Sequence, residues 1–295
     1  MTEFKRNFNN SKITALKGED LFNNKLLNDI RKGTVFPAIR NDYICFYTGN
    51  SRPFVFNYNN EFKAHKKYLP FNSDDNYLSK TDLNQQIYID NFKDNYRGII
   101  KNSELYVGGE GKGIQKLFEY FSYAKIQKQD KDKDKDEGKD IVILDNEIAF
   151  SNENIESDKT LDKIDLLLFN KKEKKLSFVE VKEFTNSEIW SKEGTKPNVV
   201  DQINRYSNNI NNRIDELLEQ YKKYIEAVNE LFNLELPYPE EVNPECGLFI
   251  FGFDQDQKSG RFTRLLKKDN SLENIYYYAI GNITSSLELS KIWDK

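Results

Sequence analysis

The chain has 295 residues, enough to bury a full core as one large domain or two smaller ones. Its 38% hydrophobic and 14% aromatic content is sufficient to fold, and no apolar run approaches the roughly 18 to 20 residues needed to cross a bilayer. A net charge of -4 excludes a protein that coats nucleic acid by bulk charge, although the first 109 residues are locally basic, with 16 Lys/Arg against 12 Asp/Glu.

The N-terminus, MTEFKRNFNNSKITALKGED, lacks the apolar segment of a signal peptide, so the expected location is the cytoplasm, with no membrane partner. Cys45 and Cys246 each sit beside apolar or aromatic residues and read as reduced core thiols. The abundance of Asn, Lys, Ile and Tyr suits an AT-rich microbial genome.

In chain order, residues 1–104 read as an α+β region whose strands TVFPAIR, DYICFYTG and RPFVFNY are punctuated by Asn-Asp, Gly-Asn and Pro. Its role is open between substrate recognition and regulation. Within it, KAHKKY, residues 63–68, mixes basic and aromatic groups able to stack on bases or hold phosphate, or simply forms a solvated turn. Residues 105–295 form the second unit. GGEGKGIQKLFEYFSYAKI carries apolar residues at 114, 117, 118, 121 and 124, a helical period, and its glycines read as a flexible helix entry rather than a phosphate loop. A charged loop at 127–140 cannot pack. The strand IVILDNEIAF follows, with Asp145 and Glu147 as candidate extra acids. After it come a hairpin at 163–184, a helix from about 198 to 232, the strand CGLFIFGF, the short helix SGRFTRLLKK and the strand NIYYYAI. The expected class is α/β, a mixed central sheet flanked by helices.

The hairpin KIDLLLFNKKEKKLSFVEVKEF holds the chemistry. With Lys171 to Lys174 as a four-residue loop, Asn170 pairs with Lys175, Leu167 with Phe178, and Asp165 falls opposite Glu180. Period-two alternation then sends Asp165, Glu180 and Lys182 to one face among leucines and phenylalanines. Like charges opposite one another destabilise a sheet, and hard oxygen ligands in this number suit Mg2+ or Mn2+. His65 is the sole histidine, which excludes a His-rich zinc site. The alternative is that these charges lie at strand ends and reach solvent.

Asp165, followed fifteen positions later by Glu180-Val181-Lys182, resembles the PD-(D/E)XK nuclease superfamily, which has a restriction-endonuclease-like core. VVDQINRY supplies Gln202 and Tyr206 and resembles the Gln-x-x-x-Tyr motif of the RecB-like and related branches. Glu110, ahead of IQKLFEYF, is similar to the acidic residue of the first helix. Glu119 competes for that role but lies almost opposite the apolar face. The chain lacks a Pro before Asp165 and a His on the first helix.

The resemblance, covering roughly residues 108–282, implies a Mg2+- or Mn2+-dependent nuclease, an endonuclease or exonuclease with DNA as the favoured substrate, in microbial defence, repair or mobile-element biology. It implies that Asp165, Glu180 and the Val181 carbonyl hold the metal, that Lys182 positions water or stabilises charge, that Gln202 orients Lys182 or the water, and that Tyr206 touches a phosphate. Two alternatives stand beside it, a nuclease-like fold that binds nucleic acid or protein without cutting and an unrelated enzyme with coincidental charges. Finally, Ile214, Leu217, Leu218, Tyr221, Ile225, Val228 and Phe232 form a stripe that suits the core first and a homodimer partner helix second.

Overall fold

A computed structural model describes residues 4–69, 77–79, 92–125, 140–150, 163–190, 196–263, 272 and 274–293; all but Asp140 of the charged loop expected at 127–140 lies outside them. The described residues are mixed α/β with two sheets. None of their helices is long and apolar enough to cross a membrane.

The first sheet is an antiparallel meander of β1 (Phe36–Ile39), β2 (Ile44–Thr48), β3 (Ser51–Phe56), β4 (Phe62–His65) and β5 (Tyr77–Ser79). Its strands read as near-continuous apolar runs because both faces are covered. On one side Phe54 stacks on Tyr96 of the Phe92–Glu104 helix, and on the other Phe36 stacks on Phe118 of the Gly109–Phe121 helix, ring centroids 5.7 and 4.4 Å apart.

The second sheet follows the order β11-β10-β8-β7-β6, with β9 (Glu241–Val242) beside β8. β6 (Ile141–Ala149), β7 (Lys163–Asn170) and β8 (Lys175–Glu183) are antiparallel neighbours, whereas β10 (Gly247–Phe251) and β11 (Tyr277–Ile280) continue from β8 in parallel. The mixed sheet expected from the pattern is therefore present. A parallel step needs a long crossover, and residues 198–232 supply it between β8 and β10. The hairpin register is the expected one, Asn170 with Lys175 and Leu167 with Phe178.

One helix expectation changes. The single helix expected over about 198 to 232 is two, Asn198–Asn211 and Ile214–Phe232. Arg213 leaves helical geometry at φ -134°, after an Asn-rich stretch whose amides compete with the helical backbone. SGRFTRLLKK was expected to be a short helix, and its described part is helical, with π-helical geometry over Lys258–Phe262; residues 264–271 lie outside the described set.

The apolar stripe of the Ile214–Phe232 helix is buried within the chain. Tyr221 packs on Phe178 and Phe232 on Phe22, so this face is not open to a second copy. Cys45 and Cys246 are both buried and free, as expected of core thiols.

The expectation that Asp145 adds acidity beside the hairpin is overturned. Its carboxylate is fully buried and accepts from Arg6 Nε at 2.8 Å, Arg40 Nη1 at 2.7 Å, the Tyr221 hydroxyl at 2.9 Å and the Asn146 amide at 2.8 Å. Burial alone would raise its pKa, but the Arg40 and Arg6 charges outweigh that and hold it below the ordinary value. The node ties both parts of the chain together.

Removing one member of a buried ion network leaves charge unpaired at a cost of about 3–5 kcal/mol. Asp145→Ala should lose about that much stability in urea unfolding at pH 7. Because the folded pKa is depressed, the contribution is present above the unfolded value near 4 and lost as pH falls through the folded one, so parent and variant should converge in acid.

Candidate active site

β8 is buried without a break from Leu176 to Lys182, which places a carboxylate and an ammonium inside the sheet. Glu180 is 2% exposed and Lys182 5%. Leu166 and Val179 are the last paired residues of the β7–β8 ladder; beyond them β7 stays with β6 and β8 with β10. The strands part at the fork occupied by Asp165 and Glu180. There the Asp165 Oδ2 accepts the Val181 amide at 2.7 Å. Val181, expected to offer its carbonyl, meets Asp165 through its N–H.

Glu180 organises the interior. Its Oε1 receives Lys182 Nζ and Gln202 Nε2, each at 2.8 Å. Its Oε2 is buried and has no hydrogen-bond partner among the described residues. Gln202 Nε2 also donates to the Tyr206 hydroxyl at 2.9 Å, which itself donates to the Lys163 carbonyl at 2.7 Å. Tyr206 is 2% exposed, so the structure directs its hydroxyl toward holding Gln202 inside the protein.

Of the two helix acids, Glu110 comes to the site. It lies in the first turn of the Gly109–Phe121 helix, in the field of Lys182, and its Oε2 accepts from Asn186 Nδ2 at 3.0 Å. Glu119 instead faces Gln115 at 3.4 Å. Gly109 and Gly113 serve close approach rather than a flexible entry, whereas Gly108 faces open space. A Cβ on Gly109 would collide with the Glu183 carboxylate, and one on Gly113 with the Phe251 ring.

Sequence reasoning missed Asn186 and Glu188. Glu188 Oε2 is 2.7 Å from Lys182 Nζ, and Asn186 caps the short turn Ser187–Ile189 by accepting the Glu188 amide at 2.9 Å. The signal was present as Thr-Asn-Ser one residue after β8, a turn-forming run that folds the next acid back toward the strand end.

Electrostatics follow from this crowding. Burial raises the Glu180 pKa, the Lys182 charge opposes it, Glu110 and Glu188 add to it, and the result is about 7. Asp165 is pushed well above the usual carboxylate range by burial and then by Glu180, Glu110 and Glu147. Glu147 therefore acts on the site, while also pairing with Lys163 at 3.5 Å. Burial would lower the Lys182 pKa, but Glu180 and Glu188 raise it, so it stays an ammonium.

No family model, curated protein or solved structure matches the chain.

Among the described residues no group of three or more His, Cys, Asp or Glu side chains forms a ready-made metal cage. The donor set is the pair Asp165 and Glu180, and Mg2+ takes one or two protein carboxylates together with water and substrate phosphate. The partnerless Glu180 Oε2 and the mutual repulsion of the two acids fit a hard cation at the fork.

A folded carboxyl with a raised pKa binds more protons than the unfolded chain, so stability falls as pH rises from the unfolded value near 4.5 through the folded value near 7. Glu180→Gln removes this dependence. The stability difference between parent and variant in urea unfolding should shift by about 3 kcal/mol between pH 4 and pH 8, with the parent losing more.

Proposed function

We infer that the protein is a divalent-metal-dependent nuclease, with DNA as the favoured substrate and a restriction-endonuclease-like core. The observation that carries this reading is the convergence of Asp165, Glu180, Lys182 and Gln202 at one strand fork, where a buried carboxylate oxygen has no partner among the described residues. The mixed sheet, with a hairpin at its centre and parallel strands beyond β8, supports the same reading.

Asp165 and Glu180 would hold Mg2+ or Mn2+, which supplies Lewis acidity toward a phosphoryl oxygen and lowers the pKa of a water. Lys182, kept charged, places an ammonium where negative charge develops on the phosphate. Gln202 fixes the Glu180 carboxylate, with Tyr206 behind it. Glu110 bears on Lys182 from the opposite element. Defence, repair or mobile-element biology is the setting this chemistry suits.

One observation favours a second reading, a nuclease-like fold that binds without cutting. Lys182 is already bridged between Glu180 and Glu188 at 2.8 and 2.7 Å, a charge arrangement complete without a cation.

Labelled single- and double-stranded DNA and RNA incubated with Mg2+ or Mn2+ separates the two. The nuclease reading expects cleavage that EDTA stops and that Lys182→Ala and Asp165→Asn each reduce at least about 100-fold. Absence of metal-dependent cleavage on every substrate, with calorimetry showing no Mn2+ binding that Asp165→Asn removes, would leave the binding reading.

A further inference from the structure

Outside the fork, the described surface carries one cluster that folding alone does not call for. Leu105 and Tyr106, adjacent in sequence, are 77% and 50% exposed, and they occupy the link between the Phe92–Glu104 and Gly109–Phe121 helices. Lys67 Nζ lies 4.2 Å from the Tyr106 ring centroid, a cation–π contact on the surface. Tyr106 meets the buried Tyr68 edge to face at 5.6 Å, and Tyr68, as a support beneath it, meets His65 at 5.4 Å. Lys63 and Lys66 belong to the same segment.

The cluster is held rigid from beneath. Asn102 Nδ2 donates to the Tyr68 carbonyl at 2.9 Å, and the Tyr106 amide donates to the Ser103 carbonyl at 3.2 Å. Val107 packs where a side chain on Gly49 or Gly111 would otherwise sit. A rigid aromatic face beside lysines loses little entropy when a ligand settles on it.

We propose that the Lys67–Tyr106 platform, with Leu105 and the KAHKKY segment, binds single-stranded nucleic acid and leads it into the Asp165–Glu180 fork. A base needs to be unstacked to lie on a tyrosine face, which a continuous duplex does not allow, and the lysines complement the phosphates between such bases. Position supports the assignment. Tyr106 is four residues before Glu110, a span of at most about 14 Å, or about four stacked nucleotides. Glu110 already lies in the field of Lys182. The choice of nucleic acid over another polyanion rests on the nuclease reading; the binding surface itself does not.

The test uses the full chain in EDTA, so that binding is measured without cleavage. Fluorescence anisotropy with a labelled twelve-nucleotide dT strand, the matching RNA and a blunt duplex should show the single strands bound more tightly than the duplex. Tyr106→Ala should weaken single-strand binding at least about fivefold, the lower end expected for one base–aromatic stack, while Tyr106→Phe retains it. Lys67→Ala should reduce the salt slope by about 0.7. Equal binding by parent and Tyr106→Ala, preference for the duplex, absence of single-strand binding, or equal competition by poly-glutamate would each overturn the platform. Binding that follows these rules in a protein that cleaves nothing with Mg2+ or Mn2+ would sink the nuclease reading and leave the platform standing; cleavage indifferent to Tyr106 and Lys67 would do the reverse.

Discussion

Everything near the candidate site answers to one constraint, a glutamate and a lysine two residues apart on the innermost stretch of a fully covered strand. Desolvating each charge costs several kcal/mol unless partners are placed with good geometry. Glu180 and Lys182 satisfy one another only in part, so further elements are drawn in. The Asn198–Asn211 helix docks with Gln202 against Glu180, and the turn after β8 folds back to set Glu188 on Lys182. The remaining Glu180 oxygen has no partner among the described residues.

Asp145 shows what a finished buried charge looks like in the same sheet. Both its oxygens are occupied, by two guanidiniums, a phenol and an amide, and its pKa is lowered. Asp165, one strand away, and Glu180, two strands away, are shifted upward and lack compensating cations in that number. A carboxylate that folding alone had positioned would resemble Asp145. The contrast in satisfaction, more than burial, sets the fork apart from the rest of the sheet.

The hairpin was legible because its information is local. Alternation in LLLF and LSFV, together with a lysine-rich turn of four residues, determines which side chains oppose which, and the register follows by counting. Asp145 and Glu147 could not be told apart that way, since both are acids on one strand and the deciding partners, Arg6 and Arg40, come from more than a hundred residues earlier. The break at Arg213 depends on a run of asparagines whose effect is weak in any one residue. Glu188 belongs to the site only through a turn whose sequence permits, without requiring, the return of the chain.

The Gly109–Phe121 helix is a party wall between the two sheets. Gln115 takes the Gly49 amide at 2.7 Å and donates to the Gly33 carbonyl at 3.2 Å, while Gly33 and Gly49, both at positive φ, press against the helix backbone with no room for a methyl group. On its other side Gly113 lies against Phe251 of β10, and Glu110 stands beside the lysine of β8. The wall cannot be moved for one tenant alone. A bulkier residue at a turn of the first sheet would therefore be felt as misalignment at a carboxylate of the second, which binds the two halves to a shared tolerance for change.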